Sequence, residues 1–179
     1  GQKRQVNSIT SNPGHCLWSG IIDPQRASKV VERLMSPDMF SGWGIRTLST
    51  EMARYQPLSY QNGSVWPHDN SLIAAGMARY GFGTEARQIA LAIIDAAVAL
   101  PFHRLPELFA GYARREYSVP VPYKTANTPQ AWASGAVIYL LETLLGVLAA
   151  GDRLLHEAPR EGLSLSLIGV LYRGIRRVL

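Results

Sequence analysis

Apolar residues recur at helical spacing in four stretches of the chain. In the first, Ala27, Val30, Val31 and Leu34 share one face, while Arg26, Lys29, Glu32 and Arg33 point the other way. Asp23 is placed as its N-cap, Pro24 as its first residue, and the helix ends before Pro37. A second helix is predicted over about 69–80, apolar on most faces, with Asp69 in a capping position. Gly81 and Gly83 separate it from a third, over about 84–100. Its buried stripe is Ile89, Ile93 and Ala97 beside Ala86, Ala90 and Ile94, and Pro101 stops it. A fourth, capped by Thr128, is predicted over about 129–148 and is almost wholly apolar.

Between these helices no period holds. Residues 1–23 read as irregular, with a turn at Asn12, Pro13 and Gly14. Residues 38–67 and 102–128 are broken by Gly42, Gly44, Pro57 and Gly63, and by Pro106, Pro120 and Pro122. Connectors of that length are usually functional or disordered, and their aromatic content argues against disorder. Further on, Leu163, Leu165 and Leu167 alternate with serines, a strand-like period, and 171–178 reads as a second short strand. The expectation is an all-α body over 1–150 and a tail over 151–179 with two short strands. Two nearly all-apolar helices alternate with two amphipathic ones, which is the pattern of an inner helix ring covered by an outer one.

Composition sharpens this picture. Hydrophobic residues make up 47% of the 179 positions and charged residues only 17%, below the roughly 25% of ordinary soluble domains. Much of the surface is therefore expected to be covered by other polypeptide. The net charge of +5 is scattered, with small clusters at Lys3 and Arg4 and at Arg173, Arg176 and Arg177. No basic stripe carries interleaved aromatics, so a nucleic-acid partner is not expected. Cys16 is the single cysteine, which rules out an internal disulfide and suggests a reducing, cytoplasmic compartment. Residues 131–150 are apolar and long enough to span a bilayer. They contain Glu142 and lack a basic flank at their start, so a buried core helix is preferred and no membrane partner is expected. His15, His68, His103 and His156 show no metal-ligand spacing. With no phosphate loop and no nucleophile elbow, no metal and no cofactor are expected.

The candidate chemistry lies in the connectors. From Ser59 to Asn70 the chain carries Tyr60, Asn62, Trp66, His68, Asp69 and Asn70. A mere connector has no need of this set, whereas a sugar pocket does. Aromatic faces stack on pyranose rings, and fixed amides and carboxylates satisfy hydroxyls. Two clusters share this character: Phe40 to Thr47, with Trp43 and Arg46, and Arg104 to Phe109, with Glu107. Each residue also has a plainer reading. Glu107 also reads as a helix N-terminal carboxylate after Pro106, and Asp69 as a cap. Trp43 and Trp66 read as core packing, Arg46 as part of a loop-bracing salt bridge, and His68 as a hydrogen-bonded structural histidine. Gln130 and Trp132 sit at the entry of the last helix, beside the same mouth.

Taken in order, these runs resemble a known family. They are Ser11 to His15, Trp18 to Gly20, Phe40 to Leu48, Ser59 to Asn70, Arg79 to Gly81, Arg104 to Phe109, Pro120 to Tyr123 and Pro129 to Ala133. Together they look like the C-terminal part of bacterial glycogen-debranching-type enzymes, the amylo-α-1,6-glucosidase family of six-hairpin glycosidases. The resemblance implies a partial (α/α)6 toroid with a carbohydrate site at one mouth. It also implies an inverting hydrolase with two carboxyl groups about 6.5–9.5 Å apart, so that a water fits between. Glu107 matches the general base. The acid belongs to a Gly-Arg-Asp-type segment upstream, and no such run occurs in this chain. The implied partners are an α-glucan or oligosaccharide, and either the upstream part of the same ring or a second copy. The alternative is a carbohydrate-binding or scaffold remnant without catalysis.

Overall fold

The computed structural model describes residues 2–4, 6–150, 153–156, 170–172 and 175–177. Five α-helices form the body: α1 (Pro13–Ser19), α2 (Pro24–Met35), α3 (Pro67–Arg79), α4 (Gly83–Ala99) and α5 (Ala131–Leu145). A single 3-10 turn, Pro101–His103, follows α4. Two antiparallel hairpins come after α5: β1 (Val147–Ala150) with β2 (Arg153–His156), and β3 (Val170–Tyr172) with β4 (Ile175–Arg177). The strand expected at Leu163 to Leu167 lies outside the described residues. The stretch expected as one strand over 171–178 contains parts of two strands, 170–172 and 175–177, that pair with each other.

The amphipathic reading of α2 holds. Ala27, Val31 and Leu34 are buried, Pro24 opens the helix, and the Asp23 carboxylate accepts the Gln25 amide at 2.8 Å. The stripe of α4 is buried at Ala86, Ile89, Ala90, Ile93 and Ala97, with Ile94 half-buried. One helix was not foreseen. α1 occupies part of the segment read as irregular. At seven residues it is too short to show a period, although Pro13 at its start and Gly20 at φ +74° beyond its end are regular start and stop signals.

α3 is the hub, packed on α1, α4 and α5. Its crossing with α1 is close because glycine stands on both sides. A Cβ at Gly14 would meet Ile73 Cγ1 at 2.4 Å, and one at Gly76 would meet the Trp18 backbone nitrogen at 2.5 Å. The body of the core is Leu17, Met39, Ile45, Val65, Ile73, Met77, Ile89, Ile93, Phe109 and Leu140.

α5 departs from expectation twice. It begins after Gln130 and ends at Leu145, where Gly146 adopts the left-handed conformation, rather than running to 148. It is also not buried all round. Ala133, Ala136 and Leu140 face α3 and α4, while Trp132, Ile138 and Leu141 are 60, 63 and 45% exposed. Periodicity shows that a helix is apolar but cannot show which neighbours cover it. No described helix is long and apolar enough to cross a membrane.

The irregular connectors are held together by backbone pairing. Thr10 pairs with Leu48, Arg46 with Val65, Val65 with Phe109, and Phe109 with Pro122. Val65 and Phe109 exchange both amide–carbonyl bonds, at 2.9 and 3.0 Å. Asn70, wholly buried on α3, fastens this lattice to the helices. Its side chain accepts the Ile45 amide at 2.6 Å and donates to the Ile45 and Trp66 carbonyls at 3.1 and 3.0 Å. The loops are thereby fixed to a rigid scaffold, the arrangement in which loop residues can carry function.

Candidate active site

Glu107 is not on a helix, so the reading as a helix-terminal carboxylate fails. It lies on the extended segment leading into the Val65–Phe109 pairing, and its amide donates to the Asn127 carbonyl at 2.9 Å. The residue is 8% exposed. One carboxylate oxygen accepts the Tyr60 hydroxyl at 2.5 Å, and the other accepts Asn127 Nδ2 at 3.1 Å. These two neighbours hold the carboxylate in one orientation at the edge of the core. The same bond raises the Tyr60 phenol above its ordinary range, since a proton shared with a carboxylate is harder to lose.

From Tyr60 a chain of ring contacts leads to Trp132. Tyr60 meets Trp66 edge-on at 4.8 Å between centroids, and Trp66 meets His68 at 5.5 Å. His68 stacks on Trp132 at 4.0 Å. Tyr123 lies 6.0 Å from Tyr60 on the other side. Trp66 Nε1 donates to the Tyr60 carbonyl and to Ser64 Oγ. The N-termini of α3 and α5 thus bring together residues 64 positions apart in sequence, His68 and Trp132. Asn62 is exposed at the rim of the same loop.

Asp69 is not the cap of α3. The helix begins two residues earlier, at Pro67, and Asp69 sits in its first turn. Its side chain, 8% exposed, binds His15 Nε2 through Oδ1 at 2.5 Å. That bond raises the His15 pKa above its ordinary value, against the opposing effect of burial. His68 shifts the other way, chiefly because burial disfavours its charged form. The neighbouring His15 adds to this, while Asp69 and Glu107 partly offset it. Among the described residues, three buried side-chain atoms have no hydrogen-bond partner: Asp69 Oδ2, His68 Nδ1 and Gln130 Oε1. Buried polar atoms are normally satisfied, and here all three belong to residues singled out from the sequence. His68 is therefore not the satisfied structural histidine of the plainer reading.

Trp43 and Arg46 are engaged elsewhere. Trp43 is buried, Arg114 covers its ring at 4.2 Å, and its Nε1 donates to the Tyr117 carbonyl at 3.3 Å. Among the described residues, Arg46 forms no salt bridge with a carboxylate side chain, and the hydroxyl it meets is that of Tyr55. Its guanidinium donates to the Gly111 carbonyl at 2.6 Å and to those of Pro37 and Asp38 at 3.2 and 3.4 Å. Burial lowers its pKa. It lines a half-open cavity of about 660 Å³ with Tyr55, Tyr112, Arg114 and Glu116, and no member of the Glu107 group lines that cavity. Sequence reasoning missed His15, Asn127 and Tyr123 as neighbours of the site. His15 carried one signal, its place next to Gly14 in a run resembling the family. Asn127 carried none.

The sequence profile of the mannosylglycerate hydrolase MGH1-like glycoside hydrolase domain matches residues 2–106, a span that stops one residue short of Glu107. A search of curated proteins finds no match. Among solved structures, the GH63 mannosylglycerate hydrolase from Thermus thermophilus in complex with glucose is 18% identical, with a TM-score of 0.59. That match covers 79% of this chain and 31% of the other. An uncharacterized conserved protein from the same organism is 17% identical over 79% of this chain and 32% of its own, with a TM-score of 0.57. The mannosylglycerate hydrolase in complex with Tris is 19% identical over 77% and 30%, with a TM-score of 0.54. The chain thus spans about a third of the length of these structures, and its helices form part of an all-α toroid of the same kind. With more than half of its residues matched, the chain belongs to the MGH1-like glycoside hydrolase domain family, within the six-hairpin glycosidases.

Proposed function

We propose that this chain is the base-bearing part of an inverting glycoside hydrolase that cleaves α-glucosidic bonds of the debranching type. The observation that carries this is Glu107, buried yet oriented by Tyr60 and Asn127 and linked by ring contacts from Tyr60 through Trp66 and His68 to Trp132. Glu107 takes a proton from water as the water attacks the anomeric carbon. The acid that protonates the leaving oxygen stands on polypeptide outside these 179 residues, about 6.5–9.5 Å away in the assembled site. Trp66 and Trp132 offer ring faces and edges to the sugar. Tyr60, Asn62, His68, Asp69 and Gln130 meet its hydroxyls, while Trp43 and Arg46 brace the loops from below. The lone Cys16 suits a reducing, cytoplasmic setting.

A second reading, an α-mannosyl substrate joined to a small acid, is favoured by the matched family description. Hydrolysis of an isomaltosyl-branched dextrin and of mannosylglycerate, by this chain together with the rest of the ring, decides between them. The first reading expects glucose release from the dextrin, lost in Glu107→Gln. Release of mannose alone supports the second. No release from either substrate would leave only a carbohydrate-binding remnant and defeat the proposal.

A further inference from the structure

α3 turns one continuous stripe toward α1: Asp69, Ile73 and Gly76, at the i, i+4, i+7 spacing of a single helix face. Gly76 admits the backbone of Leu17 and Trp18, and Gly14 seats against Ile73. The next residue after Gly14 is His15, and one helical turn before Ile73 is Asp69. The glycine-to-helix contact therefore sets the height at which the imidazole reaches the carboxylate. Nε2 meets Oδ1 at 2.5 Å, while Oδ2 stays buried and without a partner. A carboxylate that uses one oxygen for its own scaffold and leaves the other without a protein partner is poised for one donor, not two.

Resting on the reading that this mouth holds a sugar, we infer that His15 is a positioning residue. It fixes Asp69 through Oδ1, so that Oδ2 accepts a single hydroxyl of a neutral hexopyranose. His15 acts through Asp69, to which its Nε2 is bound. Asp69 cannot grip two neighbouring hydroxyls with its two oxygens, as a free carboxylate would. One hydroxyl of the ring is therefore selected, and the selection depends on a residue of the neighbouring helix. Among the described residues, the titratable groups facing His15 are Asp69 and His68, both on α3.

The test is titration of the 179-residue chain with glucose and with its monodeoxy analogues, followed by calorimetry and by the histidine ring signals in NMR. The expected result is that one analogue binds about tenfold more weakly than glucose, the size of one lost charge-assisted hydrogen bond. Asp69→Asn should bind glucose and that analogue with closely similar affinity. His15→Ala should lose most of the discrimination, and His15→Gln, whose amide also donates to a carboxylate, should restore it with a flat pH profile. In the unaltered chain the discrimination should weaken as the His15 ring signal reports loss of its proton, a readout that requires no variant to fold. If His15→Ala keeps the full discrimination and the wild-type pH profile, the role of His15 is overturned. Should Glu107→Gln still abolish hydrolysis by the assembled enzyme, the functional reading would survive that loss. A wild-type chain that binds glucose and every analogue equally overturns the single-hydroxyl claim, leaving Oδ2 merely hydrated. If it binds none of them, this inference and the sugar-binding reading both fall.

Discussion

Glu107 and Tyr60 form the contact on which the proposed chemistry turns. A general base must be held within reach of its water and in one orientation. Here a hydroxyl at 2.5 Å and an amide at 3.1 Å do the holding. Tyr60→Phe removes the shorter bond but keeps the ring against Trp66, so kcat with the complete ring should fall by about 10- to 100-fold with little change in KM. Initial-rate kinetics on the assembled enzyme check this. The two histidines of the mouth predict a stability profile with opposite slopes. His15, with its pKa raised by Asp69, contributes stability that is present below pH ~6.5 and lost as pH rises through its higher folded value. His68, with its pKa lowered by burial, contributes in the other sense: stability is lost as pH falls below ~6.5. Thermal midpoints across pH 5 to 8 should therefore bend near the middle of that range. His15→Ala should flatten the alkaline side alone, and His68→Ala the acidic side alone. At this scale much of the candidate cluster was legible. Trp66, His68 and Asp69 stand within four residues in a run too polar and aromatic for a simple linker. Trp43 and Arg46 had the same composition but were drawn into the interior, since composition does not reveal whether a ring face is already covered by an arginine.

The elements divide by what a sequence can encode locally. α2 was readable to the residue because its cap, opening proline and apolar stripe are all local signals. α1 was not, because seven residues carry no period and its purpose is a glycine-mediated crossing with α3. The connectors were readable as irregular but not as a lattice, because pairing such as Val65 with Phe109 joins positions 44 residues apart. Asn70 is the joint between lattice and helix. Asn70→Ala leaves the Ile45 amide and carbonyl buried and unpaired, at about 1–3 kcal/mol each when uncompensated. The expected loss of stability is about 2–4 kcal/mol, measured by urea unfolding. Glucose affinity should fall as well, since the same change frees the loop carrying Tyr60 and Trp66. An Asn70→Ala chain that unfolds at the wild-type urea midpoint would show that the lattice does not depend on this joint.

The whole molecule is an arc of a helical ring, and its open flank is α5. Ile138 and Leu141 expose apolar surface side by side on that helix, an arrangement a soluble surface rarely keeps uncovered. The low share of charged residues in the sequence pointed the same way, but composition could not say which helix would be left bare. The covering element proposed is the rest of the ring, since the chain spans only about a third of the length of its structural neighbours. In its absence the isolated chain should self-associate in sedimentation velocity experiments, and Ile138→Glu with Leu141→Glu should return it to a monomer. The same pair of changes should weaken docking of the remaining ring, measured by co-purification. The most direct measurement on the reaction itself is the anomeric form of the sugar first released from an α-linked glycoside by the assembled enzyme, followed by proton NMR. Release of the β-anomer by the wild type, and of no sugar by Glu107→Gln, is the result expected of a water activated by that carboxylate. An initial α-anomer, or undiminished β-anomer release by Glu107→Gln, would contradict it.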